Sequence, residues 1–323
     1  MKPLAMRDVL LEKIWQEMSL DSLIFFVSAD FGSPVLDKIR RDFPDRFINV
    51  GIAEQNLINI TAGLAIEGYK VFAYAIAPFI TMRCYEQIRV SLALLSEVRP
   101  MNVNLIGVGA GYSYVVSGPT HQCYEDITIM RALPNFQVLS PADHVTTSSL
   151  FEDCVTTNGL RYFRLDAQVQ PVLYTLDLPS TTDGFHFHQK GEKVCFIATG
   201  FMTHTAFKVA EEINKIGFKV GIIDIFNLTN FSKAGLKKVL ESYLAIVSFE
   251  EGFRGRGGLD SMLFEFIAES KLNLKTLRIG VDPGYSFELG SRNELHEKVG
   301  IGNKSAMKKI LPFVQTIMNK IKE

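Results

Sequence analysis

Apolar positions along this chain follow two rhythms, short continuous runs and a helical period, and the two alternate from end to end. Residues 7–20 place Val9, Leu10, Ile14, Trp15 and Met18 on one face, which predicts a surface helix. Leu23-Ile24-Phe25-Phe26-Val27-Ser28 is an unbroken apolar run, the pattern of a parallel strand covered on both faces. It ends in the loop Ala29-Asp30-Phe31-Gly32-Ser33, and a helix is predicted over 34–42. Arg46-Phe47-Ile48-Asn49-Val50 reads as a short strand that turns at Gly51 toward a small-residue helix over 58–66. Further strands are predicted at 69–75, 101–108, 136–139 and 161–165. Helices are predicted after Ala77-Pro78-Phe79, over 126–132, and after Ser140-Pro141-Ala142-Asp143, with the proline in the first helical turn.

Residues 166–190 carry Pro171, Pro179 and Gly184 without a long periodic pattern and read as a linker. The alternation then restarts, with strands at 194–198, 219–225, 244–249 and 275–279 and helices at 204–215, 233–242 and 259–270. Helices end the chain. Such alternation predicts an α/β protein of two consecutive open domains with mostly parallel sheets, over 1–165 and 191–323. A length of 323 residues accommodates two domains.

Composition adds exclusions. The 34 lysines and arginines nearly balance 35 aspartates and glutamates, which favours neither nucleic acid nor a membrane surface as partner. The first residues lack the apolar segment of a signal peptide, and no apolar run reaches membrane-spanning length. Cys84, Cys123, Cys154 and Cys195 are scattered, without a CxxC pair, and read as buried free thiols. Together these features predict a cytoplasmic protein. His186 and His188 fall in the linker without a third ligand nearby, so no metal site is expected there. The glycine-rich loop at 252–258 lacks the context of a dinucleotide fingerprint and reads as packing rather than phosphate binding.

The candidate chemistry centres on Glu54, a carboxylate at the junction of a strand and a helix. Either the helix dipole favours it there, or something binds the carboxyl group, because burial makes ionisation costly. Val50-Gly51-Ile52-Ala53-Glu54-Gln55-Asn56 is followed by Gly118-Pro119-Thr120-His121-Gln122, by Met130-Arg131-Ala132-Leu133-Pro134-Asn135 and by Ser140-Pro141-Ala142-Asp143. In this order and spacing, these motifs resemble the C-terminal half of a transketolase, a thiamine-diphosphate-dependent family. The resemblance covers a pyrimidine-binding domain and the transketolase C-terminal domain. No Gly-Asp-Gly triplet occurs here. The resemblance therefore implies one subunit of a split enzyme, with thiamine diphosphate's diphosphate and its Mg2+ held by a partner polypeptide carrying that motif. A dimer of two such pairs, α2β2, is expected.

The resemblance also implies roles. Glu54 would hydrogen-bond the cofactor's pyrimidine and favour its imino tautomer, as a buried carboxyl can. Phe79, Met82 and Tyr85 occupy the positions of an aromatic slot for that ring, with Met82 departing from the aromatic pattern. Asp30 corresponds to an aspartate near the cofactor, and His121 to a histidine that meets a substrate hydroxyl or oxyanion. Arg7, Ser33 and Arg164 resemble a substrate-phosphate site. Gln122, Arg83 and Arg89 read as structural or interface residues.

One loop departs from the family. Val115-Val116-Ser117-Gly118 stands where transketolases have Gly-Glu-Asp-Gly, so Ser117 replaces the acid that contacts the sugar donor. Gly109 replaces a histidine near the substrate phosphate, and Tyr112 and Tyr114 fill the same loop. The expected activity is transfer of a two-carbon ketol unit between phosphorylated or modified sugars, with non-standard specificity. A deoxyxylulose-phosphate synthase or a 2-oxoacid dehydrogenase β subunit would share the architecture. A non-catalytic regulatory or scaffolding homologue would keep the fold.

Overall fold

The computed structural model describes residues 2–174 and 180–319. Positions 175–179 of the expected linker lie outside the described residues, as do the first residue and the last four. In chain order the first domain contains α1 (Met6–Met18), β1 (Ile24–Ser28), α2 (Pro34–Asp42), β2 (Phe47–Asn49), α3 (Glu54–Ile66), β3 (Lys70–Ile76), α4 (Tyr85–Gln87), β4 (Asn102–Val108), α5 (Asp126–Arg131), β5 (Phe136–Leu139), α6 (His144–Ser149), α7 (Phe151–Thr156) and β6 (Gly159–Leu165). The second contains β7 (Phe185–Gln189), β8 (Val194–Ala198), α8 (Met202–Lys215), β9 (Gly221–Ile225), α9 (Lys233–Leu240), β10 (Ala245–Phe253), α10 (Leu259–Ser270), β11 (Lys275–Val281), α11 (Arg292–Lys298) and α12 (Asn303–Asn319).

The first sheet is parallel throughout, in the order β2-β1-β3-β4-β6-β5. β4 is buried along its whole length, as a central strand with helices on both faces must be. Leu10, Leu11 and Ile14 of α1 and Leu36 and Ile39 of α2 cover one face. Leu57, Ile58 and Ala62 of α3 cover the other, in a core that continues into the second domain through Ile223, Leu236 and Phe266. The second sheet runs β11-β10-β8-β9-β7, parallel except for the antiparallel edge strand β7.

Two details correct the sequence reading. Residues 185–189 of the expected linker form β7, with Phe185 buried and His186 and His188 packed against Tyr174. Alternation over five residues at a sheet edge is too short a signal to separate from a loop. The helix after Ser140 begins at His144, and its cap is Asp143, whose Oδ1 accepts from Thr146 N at 2.9 Å. Pro141 precedes the helix rather than occupying its first turn.

The domains are joined by polar groups as well as by the core. The edge strand β5 is continued by the second domain, with Leu228 N donating to Val138 O at 2.8 Å, which removes an open edge. At the end of β10, Glu251 accepts from Arg292 Nη2 at 2.7 Å, lies 2.6 Å from His296 Nε2, and accepts from Tyr112 N at 3.2 Å. Arg292 also pairs with Asp166, just beyond β6. A Cβ at Gly111 would overlap the Glu251 carboxylate, so this approach requires glycine. Burial alone would raise the Glu251 pKa, but Arg292 and His296 hold it below the ordinary carboxylate range.

Asp224, in β9, is fully buried and bonded by Tyr174 Oη at 2.6 Å and Thr203 Oγ1 at 3.0 Å. Burial pushes its pKa up to about 7 despite those bonds. The folded state therefore holds this proton at pH values where the unfolded chain has released it. Asp224 should make stability fall as pH rises from about 4 to about 7. Asp224→Asn is expected to flatten that part of a urea-denaturation pH profile; an unchanged slope would contradict this assignment.

Candidate active site

Strand order reverses between β1 and β3, because the chain steps outward to β2 and then returns across β1. At such a point the crossovers diverge and leave a crevice at the carboxyl ends of the strands. Asp30 follows β1, Gly51 and Glu54 follow β2, Phe79 and Arg83 follow β3, and Gly109 to His121 follow β4. Topology thus gathers on one edge residues that are far apart in sequence.

Glu54 is the first residue of α3 and is 6 % exposed. Gly51 makes the approach turn at φ +74°. Ala53 supplies no side-chain cap, so the open helix N-terminus faces the acid. The Glu54 Oε1 accepts from Arg83 Nη1 at 3.0 Å. The same guanidinium lies over the Phe79 ring, 3.6 Å from its centroid. Phe79–Arg83 is a π-helical turn, and its first and last residues, four apart, share one face. His121 meets Phe79 edge-on, with centroids 5.1 Å apart, and its Nδ1 is 3.0 Å from Thr120 Oγ1. Glu54, Arg83, Phe79 and His121 therefore form one continuous constellation: a buried carboxylate, a flat apolar plate, a planar cation and an imidazole.

Asp30 adopts φ +54°, a left-handed conformation that Asp tolerates better than most side chains. Asn49 holds it there. Its Nδ2 donates to Asp30 Oδ1 at 2.9 Å, while its Oδ1 accepts from Asp30 N and Gly51 N. This asparagine links the β1 and β2 termini.

The transketolase pyrimidine-binding domain matches residues 2–170, and the transketolase C-terminal domain matches residues 185–305. The chain belongs to the transketolase family. It is 29 % identical to a subunit of an apulose-4-phosphate transketolase of Actinobacillus succinogenes, covering 81 % of this chain and 82 % of that protein. It is 26 % identical to a 6-deoxy-6-sulfo-D-fructose transketolase subunit of a Clostridium species, covering 94 % and 92 %. A split-gene transketolase solved as an inactive β4 tetramer superposes with a TM-score of 0.83 at 27 % identity, covering 98 % of this chain and 99 % of that one.

The remaining residues expected from the transketolase resemblance separate into two groups. Met82 lies on the π turn and is 40 % exposed. Ser117 is exposed at the mouth of the β4 loop, where its carbonyl accepts from Thr120 Oγ1 at 3.4 Å. Arg7 is half-buried beside Tyr74 and pairs with Asp8 at 2.7 Å. Tyr85 instead packs into the core and donates to Ile129 O at 2.8 Å. Ser33 is the N-cap of α2, with its Oγ accepting from Leu36 N. Arg164 is 3 % exposed; its Nε meets Asp126 at 2.9 Å and its Nη2 donates to the Cys123 and Glu251 carbonyls. The structure does not bring Arg164 to the constellation.

Arg83 and Asn49 are the residues the sequence reading missed. Arg83 was expected to be a structural or interface residue. The Asn-x-Gly spacing at 49–51 is a turn signal that marks Asn49. Removing Arg164 would strand the fully buried Asp126 without its cation. Arg164→Ala is therefore expected to cost about 3–5 kcal/mol, read from the denaturant midpoint; a change within about ±0.5 kcal/mol, the usual range for a surface residue, would refute the structural role.

Proposed function

We propose that this chain is the pyrimidine-side subunit of a split transketolase-type enzyme that transfers a two-carbon ketol unit between sugars. Thiamine diphosphate would bind between it and a partner polypeptide that holds the diphosphate and Mg2+. The observation that carries the reading is the buried Glu54 carboxylate linked through Arg83 to the Phe79 plate, which His121 meets edge-on. When bound, the cofactor supplies the carbon nucleophile and electron sink for C–C cleavage. Glu54, Phe79 and Met82 are the groups suited to its pyrimidine, with Asp30 at the adjoining edge. Glu54 holds or yields a proton at the ring. His121, at the entrance, donates to a sugar hydroxyl or to a developing oxyanion.

A partner is part of this reading, supported by relatives named as transketolase subunits and by the split-gene transketolase neighbour. The α2β2 assembly is part of the proposal. The altered loop at 115–118 supports a sugar specificity other than that of an ordinary transketolase.

The direct test is reconstitution with a polypeptide carrying the Gly-Asp-Gly motif. Ketol transfer is expected from the mixture and not from either chain alone, and an isolated, active monomer would contradict the split reading. Glu54→Gln should lower kcat by about a hundredfold or more while calorimetry still detects thiamine diphosphate binding. Unchanged kcat would remove Glu54 from the chemistry.

Arg83 makes a second prediction. Its planar cation already occupies Phe79 and Glu54, the two groups assigned to the pyrimidine. It must withdraw for a ring to bind there. Arg83→Ala should tighten thiamine diphosphate binding to the reconstituted pair on the order of tenfold, given an exposed cation–π contact and an ion pair. Weaker binding would instead make Arg83 a support for Glu54.

A further inference from the structure

Among the described residues, two that are not glycine adopt a positive φ, Asp30 at +54° and Lys271 at +56°. Lys271 has an ordinary reason, since it ends α10, where a left-handed residue closes the last turn. Asp30 has no such reason. It stands between β1 and the Ser33 cap of α2, at the carboxyl edge of the first sheet. Glycine would take this turn without steric cost, whereas an aspartate must be held in it. Backbone strain of this kind gathers at sites that handle ligands.

The holding group is Asn49. Its backbone is fixed by the parallel ladder, in register with Ser28 at the end of β1, and the next residue, Val50, donates its N–H to Ser28 O at 2.9 Å. The side chain uses both amide atoms. Nδ2 donates to Asp30 Oδ1 at 2.9 Å, and Oδ1 accepts from Asp30 N at 3.2 Å and from Gly51 N at 3.0 Å. Gly51 makes the positive-φ step that leads to Glu54, and its carbonyl accepts from Ala53 N at 2.8 Å. One amide therefore ties the loop after β1 to the turn that presents the buried acid. A carboxylate at position 49 could accept but not donate, and alanine could do neither. Among the described residues the Asp30 carboxylate makes no ion pair, and Asn49 is the partner of its side chain. Its second oxygen stays open at the sheet edge.

We infer that Asn49 is a positioning residue for the cofactor site: it fixes the Asp30 carboxylate and the Glu54 approach turn relative to each other, so that both meet a bound ligand as one preset surface. The inference rests on the thiamine diphosphate reading above and adds to it a residue that acts through Asp30 and Gly51. A binding group that is already oriented loses less freedom when its ligand arrives. Without Asn49 the exposed Asp30 side chain would sample other rotamers, and its turn would relax from the left-handed form. The three bonds are solvent-exposed, and water replaces them in the unfolded chain, so their benefit falls on affinity rather than on stability.

The test titrates thiamine diphosphate into the reconstituted pair, with Mg2+ present, by calorimetry. Absence of binding to the unaltered pair overturns the thiamine diphosphate reading and this inference with it. With binding present, Asn49→Ala should weaken the Kd about tenfold, the worth of a hydrogen bond to a charged group. The denaturant midpoint of the same variant should stay within the range of a surface substitution. An unchanged Kd overturns the inference alone. A Kd that weakens only in step with a large fall in the midpoint assigns Asn49 to the fold and overturns it too. Asp30→Gly supplies the second arm, because it keeps the positive φ and removes the carboxylate. It should weaken the Kd to a similar degree. Adding Asn49→Ala to it should then cost no more than about a further threefold, since the group that Asn49 holds is gone. Full multiplication of the two single effects would make Asn49 independent of Asp30 and overturns the positioning role.

Discussion

The Glu251 carboxylate is the tie on which the arrangement of this molecule depends. It lies buried at the end of β10 and is met by the Arg292 guanidinium, the His296 ring and the Tyr112 backbone N–H. Arg292 extends the tie to Asp166, beyond β6 of the first domain. A buried charge without partners is expensive, so this set holds together or fails together. What it fixes is the loop after β4. Tyr112 is bonded directly, Gly111 is pressed against the carboxylate, and Tyr114 and His121 follow on the same segment. The second domain thus helps to position the loop after β4.

The constellation around Glu54 depends on a different device. Crossovers at the strand reversal bring Glu54, Phe79 and Arg83 to one edge, and a π-helical turn lays Arg83 over Phe79. The carboxylate is thereby compensated from within its own domain. An ion pair whose cation is half-exposed is a modest contributor to stability. The Asp126–Arg164 pair, buried on both sides, is the opposite case and belongs to the permanent frame.

The contrast between these two pairs extends to other residues expected at the site. Arg164, Ser33 and Tyr85 occupy family positions, yet each is engaged by a neighbour: Asp126, the first turn of α2, and the Ile129 carbonyl. Residue type and register carry no information about whether a donor is already used. Only the folded chain shows that Asp126 stands against Arg164, 38 residues away in sequence.

Much of the frame was legible beforehand, because continuous apolar runs and helical periods are local signals. α2, β5, β8 and α10 fall where the pattern places them. The short edge strand β7 did not, since five alternating residues resemble a loop until a neighbouring strand supplies the ladder. The buried position of Glu54 followed from the transketolase resemblance. Its partner did not, because Arg83 lies 29 residues further along the chain and only folding brings it to the carboxylate. The sequence by itself determined the two α/β domains, the family and the acid at the centre. The tertiary structure decided which charges are already paired, and that Tyr114 fills the space left by Gly109. Periodicity is a property of neighbours along the chain, whereas charge compensation and steric exclusion are settled between residues that only folding brings together.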